Sequence, residues 1–80
     1  MNLLNRTVVL GVMIRHETLT IDDIGKEENM GFVPNKEHLQ FLLEELTESR
    51  HLTVLSGVTP FTYAITDKGI AEGKRLNEAV

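Results

Sequence analysis

Cysteine is absent from the sequence, so neither a disulfide nor a thiolate metal site can hold the fold together. Folding must depend on a hydrophobic core, with or without a partner chain. A chain of 80 residues buries about 60 to 65% of its unfolded surface, which is enough for one modest core. This length leaves little room for a large substrate cavity, and the lack of cysteine favours the cytoplasm.

The N-terminal stretch MNLLNRTVVLGVMIRH lacks the marks of a targeting signal. Its apolar middle has no basic segment before it and no small-residue cleavage site after it. Arg6, Arg15 and His16 interrupt or end the apolar run, which is also too short to cross a bilayer. The sequence therefore predicts a cytoplasmic protein that does not enter a membrane.

Cations are few, because eight Lys and Arg side chains stand against 12 Asp and Glu, and the net charge is −4. No segment forms a basic arm. Repeats, low-complexity tracts and linkers rich in Pro, Gly or Ser are also missing. We therefore expect residues 1–80 to form a single domain.

Motifs of catalytic chemistry are missing as well. His16, His38 and His51 are isolated from one another, and there is no zinc-binding His pair and no Gly-rich phosphate loop. Adjacent acids, as at Asp22 with Asp23, diverge on a helix and do not converge on one proton or metal ion. The sequence predicts a protein that is not an enzyme and holds neither a metal nor another cofactor.

The first half of the chain predicts two helices separated by a short extended piece. From Leu3 to about His16 the apolar residues cover more than one side of a helix. The segment ETLT can be extended, and Thr20 then suits the N-cap of a second helix that runs to about Glu28.

A leucine-rich helix is the clearest element of the sequence. Pro34 disfavours helical geometry at the residue before it, and Asn35 is a good N-cap. Four leucines follow at the spacing of one helical face: Leu39, Leu42, Leu43 and Leu46. Four carboxylates are spread over the remaining surface: Glu37, Glu44, Glu45 and Glu48.

Past His51 the pattern changes to LTVLSGVTPFTYAIT, which predicts a β-hairpin around a turn that contains Gly57 and Pro60. Thr66 then caps a final helix, DKGIAEGKRLNEAV. One stripe of this helix begins with small residues, at Gly69 and Gly73, which indicates a close approach by another element.

The order helix, short strand, helix, helix, hairpin, helix resembles the winged helix of small bacterial PadR- and MarR-type transcription regulators. Three segments carry the resemblance: LTIDDIG, LQFLLEELTESRHL and YAITDKGIAEGKRL. The last is similar to the Y-x-[IL]-T-x-x-G turn that leads from a wing into a final helix. The resemblance implies a mostly helical α+β domain with a three-helix core, a short strand, a two-stranded wing and a C-terminal helix.

The resemblance also implies DNA binding through the third helix, whose first turns enter the major groove. Four residues are then candidates for base contacts: Asn35, Lys36, His38 and Gln40. Lys26 and Arg50 are candidates for phosphate contacts. The alternative is that Asn35 is only an N-cap and that its neighbours form a solvated helix start.

The acidic third helix departs from this pattern, since carboxylates repel DNA unless they face away from it. An alternative function is therefore a protein-interaction module on the same fold. Phe41 lies off the leucine stripe and near Glu45 and Glu48, where it would anchor a basic partner. The competing interpretation is that Phe41 packs under the wing or the second helix.

A homodimer is the last expectation, because a single small core cannot fully cover a first helix that is apolar on several sides. The expected interface residues are Val8, Val9, Val12, Met13, Gly69, Gly73, Leu76 and Val80. The alternative is internal, with the first helix in the middle of the domain and the glycine stripe closing over it in the same chain.

Overall fold

The computed structural model describes residues 3–55, 57 and 61–78. Five helices and three strands follow in the order α1 (Arg6–His16), β1 (Thr18–Thr20), α2 (Ile21–Ile24), α3 (Glu27–Met30), α4 (Lys36–Glu48), β2 (Leu52–Val54), β3 (Thr62–Ile65) and α5 (Asp67–Glu78). This arrangement is the mostly helical α+β winged helix that the sequence predicts.

Helix α1 begins later than its apolar pattern suggests. The Asn5 side chain accepts a hydrogen bond from the backbone N–H of Val8, at 3.1 Å, and this cap fixes the start at Arg6 rather than at Leu3. Leu3 stays exposed to solvent.

The predicted second helix is two short helices, so its extension as one helix to about Glu28 is wrong. Thr20 caps α2 as expected, by accepting a hydrogen bond from the N–H of Asp23. Gly25 ends α2, and Lys26 is extended with φ −71° and ψ 139°, which breaks the helix before α3 begins. The Asn29 side chain donates to the Asp23 carbonyl at 2.7 Å and holds the two short helices together.

Helix α4 matches its prediction closely. Asn35 is the N-cap, and the four leucines of the stripe are all buried. The helix ends at Glu48, and the chain then turns sharply at Arg50, whose φ is +67°.

The sheet has three antiparallel strands in the order β1-β3-β2. Tyr63 of β3 lies between Leu19 of β1 and Val54 of β2, so the short strand predicted after the first helix joins the hairpin as a third strand. The sequence predicts the hairpin turn around Gly57 and Pro60. Gly57 has a φ of +76°, as suits a turn glycine, and Pro60 lies outside the described residues.

Thr66 connects the end of the wing to α5 and to the turn after α4. Its hydroxyl donates to the carbonyl oxygens of Arg50 and His51, at 2.7 and 3.0 Å. The same hydroxyl oxygen accepts a hydrogen bond from the N–H of Gly69, which is the capping role that the sequence predicts. The Thr66 N–H also donates to the His51 carbonyl.

Helix α1 lies in the middle of the core, and α5 closes over it. A methyl group added to Gly73 would lie 2.5 Å from Ile14 Cδ1 and 3.2 Å from Leu10 Cβ, so the two helices touch because Gly73 has no side chain. Gly69 has still less space, since a methyl group there would overlap the His51 carbonyl oxygen.

This packing corrects the argument for a dimer. Val9, Val12 and Met13 are at most 1% exposed in the single chain, so the expectation that they remain partly exposed is wrong. Their apolar surface is covered within the domain, because they share one core cluster with buried residues of α2, α4 and the sheet. Two further predicted interface residues, Val8 and Leu76, are half-buried, and Val80 lies outside the described residues.

Within residues 3–55, 57 and 61–78, no helix has the length and apolar character needed to span a membrane.

Candidate nucleic-acid interface

Helix α2 and the start of α4 flank a groove of about 270 Å³ on the surface of the domain. Its floor and walls are mostly apolar: Ile21, Gly25, Val33, Pro34 and Leu39. Lys36 and Gln40, both exposed, lie on its α4 side, one helical turn apart. The groove therefore brings two of the predicted base-contacting residues to one place.

Asp22 lines the same groove, although the sequence does not predict it as part of the site. Asp22 lines the groove from α2, whereas Lys36 lines it from α4. No spacing rule in the sequence connects the two residues, since α3 and the segment that follows it decide which side chains of α2 and α4 share the groove. An anion entering this groove would meet one cation and one carboxylate.

Asn35 and His38 are less available than Lys36 and Gln40. The Asn35 side-chain oxygen accepts the N–H of His38 at 2.9 Å, so it caps α4 and is not available to a base edge. His38 is half-buried. The interpretation that Asn35 acts as an N-cap is thus confirmed for its side-chain oxygen.

Lys26 lies at the break between α2 and α3 and is paired with a carboxylate. Its Nζ is 2.9 Å from the Asp23 Oδ1, in an exposed ion pair. This hydrogen bond lowers the pKa of Asp23 and raises the pKa of Lys26. A phosphate approaching Lys26 would compete with Asp23 for the ammonium group.

Arg50 is at the other end of α4 from Lys36. At 1.5 Å of helix rise per residue, the two backbones are roughly 20 Å apart. Arg50 is exposed, and its carbonyl oxygen accepts the Thr66 hydroxyl. The structure therefore separates Arg50 from the groove, so a phosphate contact by Arg50 would lie well away from a base contact by Lys36.

Charge is distributed unevenly over the domain. Residues 21–50, which contain α2, α3 and α4, hold eight of the 12 acidic side chains but only three of the eight Lys and Arg. The other five cations lie on α1 and α5, where two of them, Arg6 and Arg75, pair with Glu72 at 3.1 and 2.7 Å. The pKa of Glu72 is lowered by these contacts, chiefly by its hydrogen bond to Arg75.

The outward side of α4 is acidic with one aromatic ring in it. All four of its glutamates are exposed, and so is Phe41, at 58%. The interpretation that Phe41 packs under the wing or the second helix is therefore wrong. Glu45 and Glu48, which were predicted to share its surface, are exposed together with it.

His51 belongs to the structural frame of the site. It is buried under α5, and its Nδ1 lies 2.6 Å from the Ser49 hydroxyl oxygen. Burial lowers the pKa of His51, and the positive charges of Lys68 and Arg6 lower it further. Within the described part of the chain, no three His, Asp or Glu side chains are grouped so that they could hold a metal ion.

No protein-family model and no curated protein matches the sequence. The fold is similar to that of Bacillus subtilis PadR, whose crystal structure was determined in complex with operator DNA. The similarity has a TM-score of 0.73 and 20% sequence identity, and it covers 90% of this chain. It covers 45% of the PadR chain, so this chain matches less than half the length of that protein.

Proposed function

We propose that this chain is a winged-helix domain that binds double-stranded DNA, regulates transcription and has no enzymatic activity. The observation that supports this most strongly is the likeness of its fold, over 90% of its length, to PadR, which was crystallised with operator DNA. A regulator of this kind would act in the cytoplasm. The similarity covers 45% of the PadR chain, so effector binding is outside the proposal.

In the proposed complex, the first turns of α4 enter the major groove. Lys36 and Gln40 are exposed on the side of α4 that faces the α2 groove, where they can reach base edges. A lysine ammonium can donate to guanine, and a glutamine amide can pair with adenine. Asn35 and His38 are secondary candidates, because Asn35 is occupied as a cap and His38 is half-buried.

Lys26 and Arg50 are the proposed phosphate contacts on either side of the reading turns. Lys26 must share its ammonium group with Asp23, and Asp22 adds a negative charge near Lys36. Since each neutralised phosphate contributes about one unit to the salt dependence, few cations predict weak binding with a shallow salt slope.

We also propose that the domain pairs with a second copy across the outer sides of α1 and α5. Val8 and Leu76, the described candidates that keep exposed apolar surface, would lie near this interface. Closed twofold pairing is common among soluble proteins and would double the cations presented to DNA. Sedimentation equilibrium at about 50 μM should then give a mass near twice 9.0 kDa, since an interface of standard size often holds at micromolar concentration. A single 9.0 kDa species under these conditions would contradict the pairing.

The test of DNA binding is a fluorescence-polarisation titration of a mixed-sequence duplex at low salt. On a cognate site, Lys36→Ala should weaken binding, while Gln40→Ala should reduce sequence preference. Each should change the binding free energy by about 1 to 3 kcal/mol where a base contact is lost. Lys74→Ala is the matched control, because Lys74 is an exposed lysine on α5, away from the groove.

Two results would overturn the proposal. One is the lack of any binding at roughly 0.1 mM duplex, where non-specific DNA binding is normally detectable. The other is an equal loss of affinity in Lys36→Ala and Lys74→Ala, which would indicate that only the overall charge matters.

A further inference from the structure

The outward side of α4 contains an aromatic ring surrounded by carboxylates, a surface that neither the core nor the proposed DNA contacts use. Phe41 is 58% exposed. Glu37 and Glu45 lie one turn before and one turn after it, and Glu44 and Glu48 lie on the same exposed side. We call these five residues the Phe41 surface.

The carboxylates of the Phe41 surface have no cationic partner among the described residues. The acidic members of the three ion pairs among the described residues are Asp23 and Glu72. Most of the remaining cations are on α1 and α5. The negative charge of this surface is therefore left for solvent or for a ligand.

The arrangement of these acids is unfavourable for α4 itself. Glu44 and Glu48 are four residues apart, so their like charges face each other across one turn. Glu45 and Glu48 also lie in the last turn, next to the negative end of the helix dipole, and no basic residue is present in that turn. Glu44, Glu45 and Glu48 therefore lower the stability of α4, and a cation bound beside them would offset this cost.

The geometry points to a protein partner with an arginine-rich segment, and we propose that this segment docks on the Phe41 surface. Arginine side chains combine an apolar stem with a planar cation. The stem and guanidinium can lie on the exposed phenyl ring while the charge reaches a carboxylate one turn away. The phenyl ring and the carboxylates thus match both parts of one side chain. This inference does not depend on DNA binding.

The test uses ¹⁵N-labelled protein and an amphipathic peptide of arginine and leucine, about five helical turns long. A second peptide replaces each arginine by citrulline, which has nearly the same shape and no charge. The arginine peptide should shift the amide signals of Glu37, Phe41 and Glu45, and the citrulline peptide should bind at least about tenfold more weakly.

The specific role of the ring is tested by Phe41→Ser, with Phe61→Ser as the matched control. Phe61 is a phenylalanine of similar exposure, 63%, but it lies immediately before the wing strand β3. Phe41→Ser should weaken the arginine peptide by about tenfold or more, as for a central aromatic contact, and Phe61→Ser should leave it unchanged. Circular dichroism should show native helix content in both variants.

Three outcomes would overturn the proposal. The arginine peptide fails to bind, or Phe41→Ser binds it as tightly as the wild type, which would reduce the interaction to general charge attraction. The third is self-association of the protein without peptide that Phe41→Ser abolishes, because the occupant would then be a second copy of this chain.

Discussion

Helices α1 and α4 both contribute heavily to the core, but they are used in opposite ways. Helix α1 has apolar residues on several sides, and α5 covers the side that the rest of the core leaves open. Helix α4 buries one narrow leucine stripe and leaves its other side exposed, acidic and without partners in the described chain. A buried helix side needs a neighbour, so the apolar residues of α1 predict a contact with another element of the domain. The exposed side of α4, in contrast, is where binding to other molecules can occur.

The largest expected effect comes from breaking the cover over α1. Gly69→Ala places a methyl group against the His51 carbonyl, which Thr66 holds in place, so α5 must move away. We expect a loss of at least about 4 kcal/mol in the free energy of unfolding, measured by urea denaturation.

Gly11→Ala is the control for that substitution. Gly11 is inside α1, and a methyl group there would contact only the Asn77 side chain, at 3.8 Å. Since alanine favours helix more than glycine, Gly11→Ala should leave stability unchanged or raise it by up to about 1 kcal/mol. A large loss in Gly11→Ala would mean that the α1–α5 contact leaves no room for a methyl group beside Asn77.

Truncation of the buried side of α4 should have the next largest effect. Leu43 is fully buried, and Leu43→Ala leaves a cavity that should cost about 2 to 5 kcal/mol. Thermal unfolding followed by circular dichroism should show a clear decrease in Tm. An unchanged Tm would contradict the orientation of the leucine stripe.

The start of α4 should be less sensitive. Asn35→Ala removes the side-chain cap on the His38 N–H and should cost about 1 kcal/mol, whereas Asn35→Ser should cost much less because serine also caps. Equal losses in the two variants, measured by urea denaturation, would indicate that the cap is not the stabilising contact.

The buried His51 predicts a dependence of stability on pH. Its pKa is lowered in the folded protein, so below the unfolded value near 6.5 the unfolded chain takes up a proton more readily than the folded one. Stability from neutral His51 is complete above that pH and is lost as pH falls through the folded pKa. His51→Gln should make the urea midpoint less dependent on pH in this acid range, and an unchanged dependence would assign it to other groups.

The exposed side of α4 should be the least sensitive to substitution. Phe41→Ala should change the free energy of unfolding by no more than about 0.5 kcal/mol, because most of the ring is already in solvent. A loss comparable to that of Leu43→Ala would show that the ring packs against the domain and would remove the contrast between the two sides of the helix.

The sequence predicts the elements well where local rules decide them. The caps at Thr20, Asn35 and Thr66 and the leucine stripe depend on neighbouring residues, and the structure confirms them. The break at Gly25 and Lys26 was missed, since the pattern of acids and apolar residues continues across it. The pairing of β1 with β3 and the burial of α1 depend on contacts between distant residues, which periodicity does not encode.

The candidate site was predicted less completely for the same reason. Residues Lys36 and Gln40 were identified because the resemblance assigns base contacts to the first turns of the third helix, and both residues line one groove in the structure. Asp22 was missed because it reaches that groove from another helix. The exposure of Phe41 followed from its position off the leucine stripe, although packing against the wing was an equal alternative until the fold was known.

The hydrogen bonds of Thr66 have a consequence for the order in which the domain folds and opens. They join residues separated by 15 or 16 positions, so forming them closes the chain segment that contains the hairpin. The wing, the turn after α4 and the first turn of α5 should therefore open as one cooperative unit. Native-state hydrogen exchange should show the Thr66 and Gly69 amides exchanging together, with the same free energy of opening.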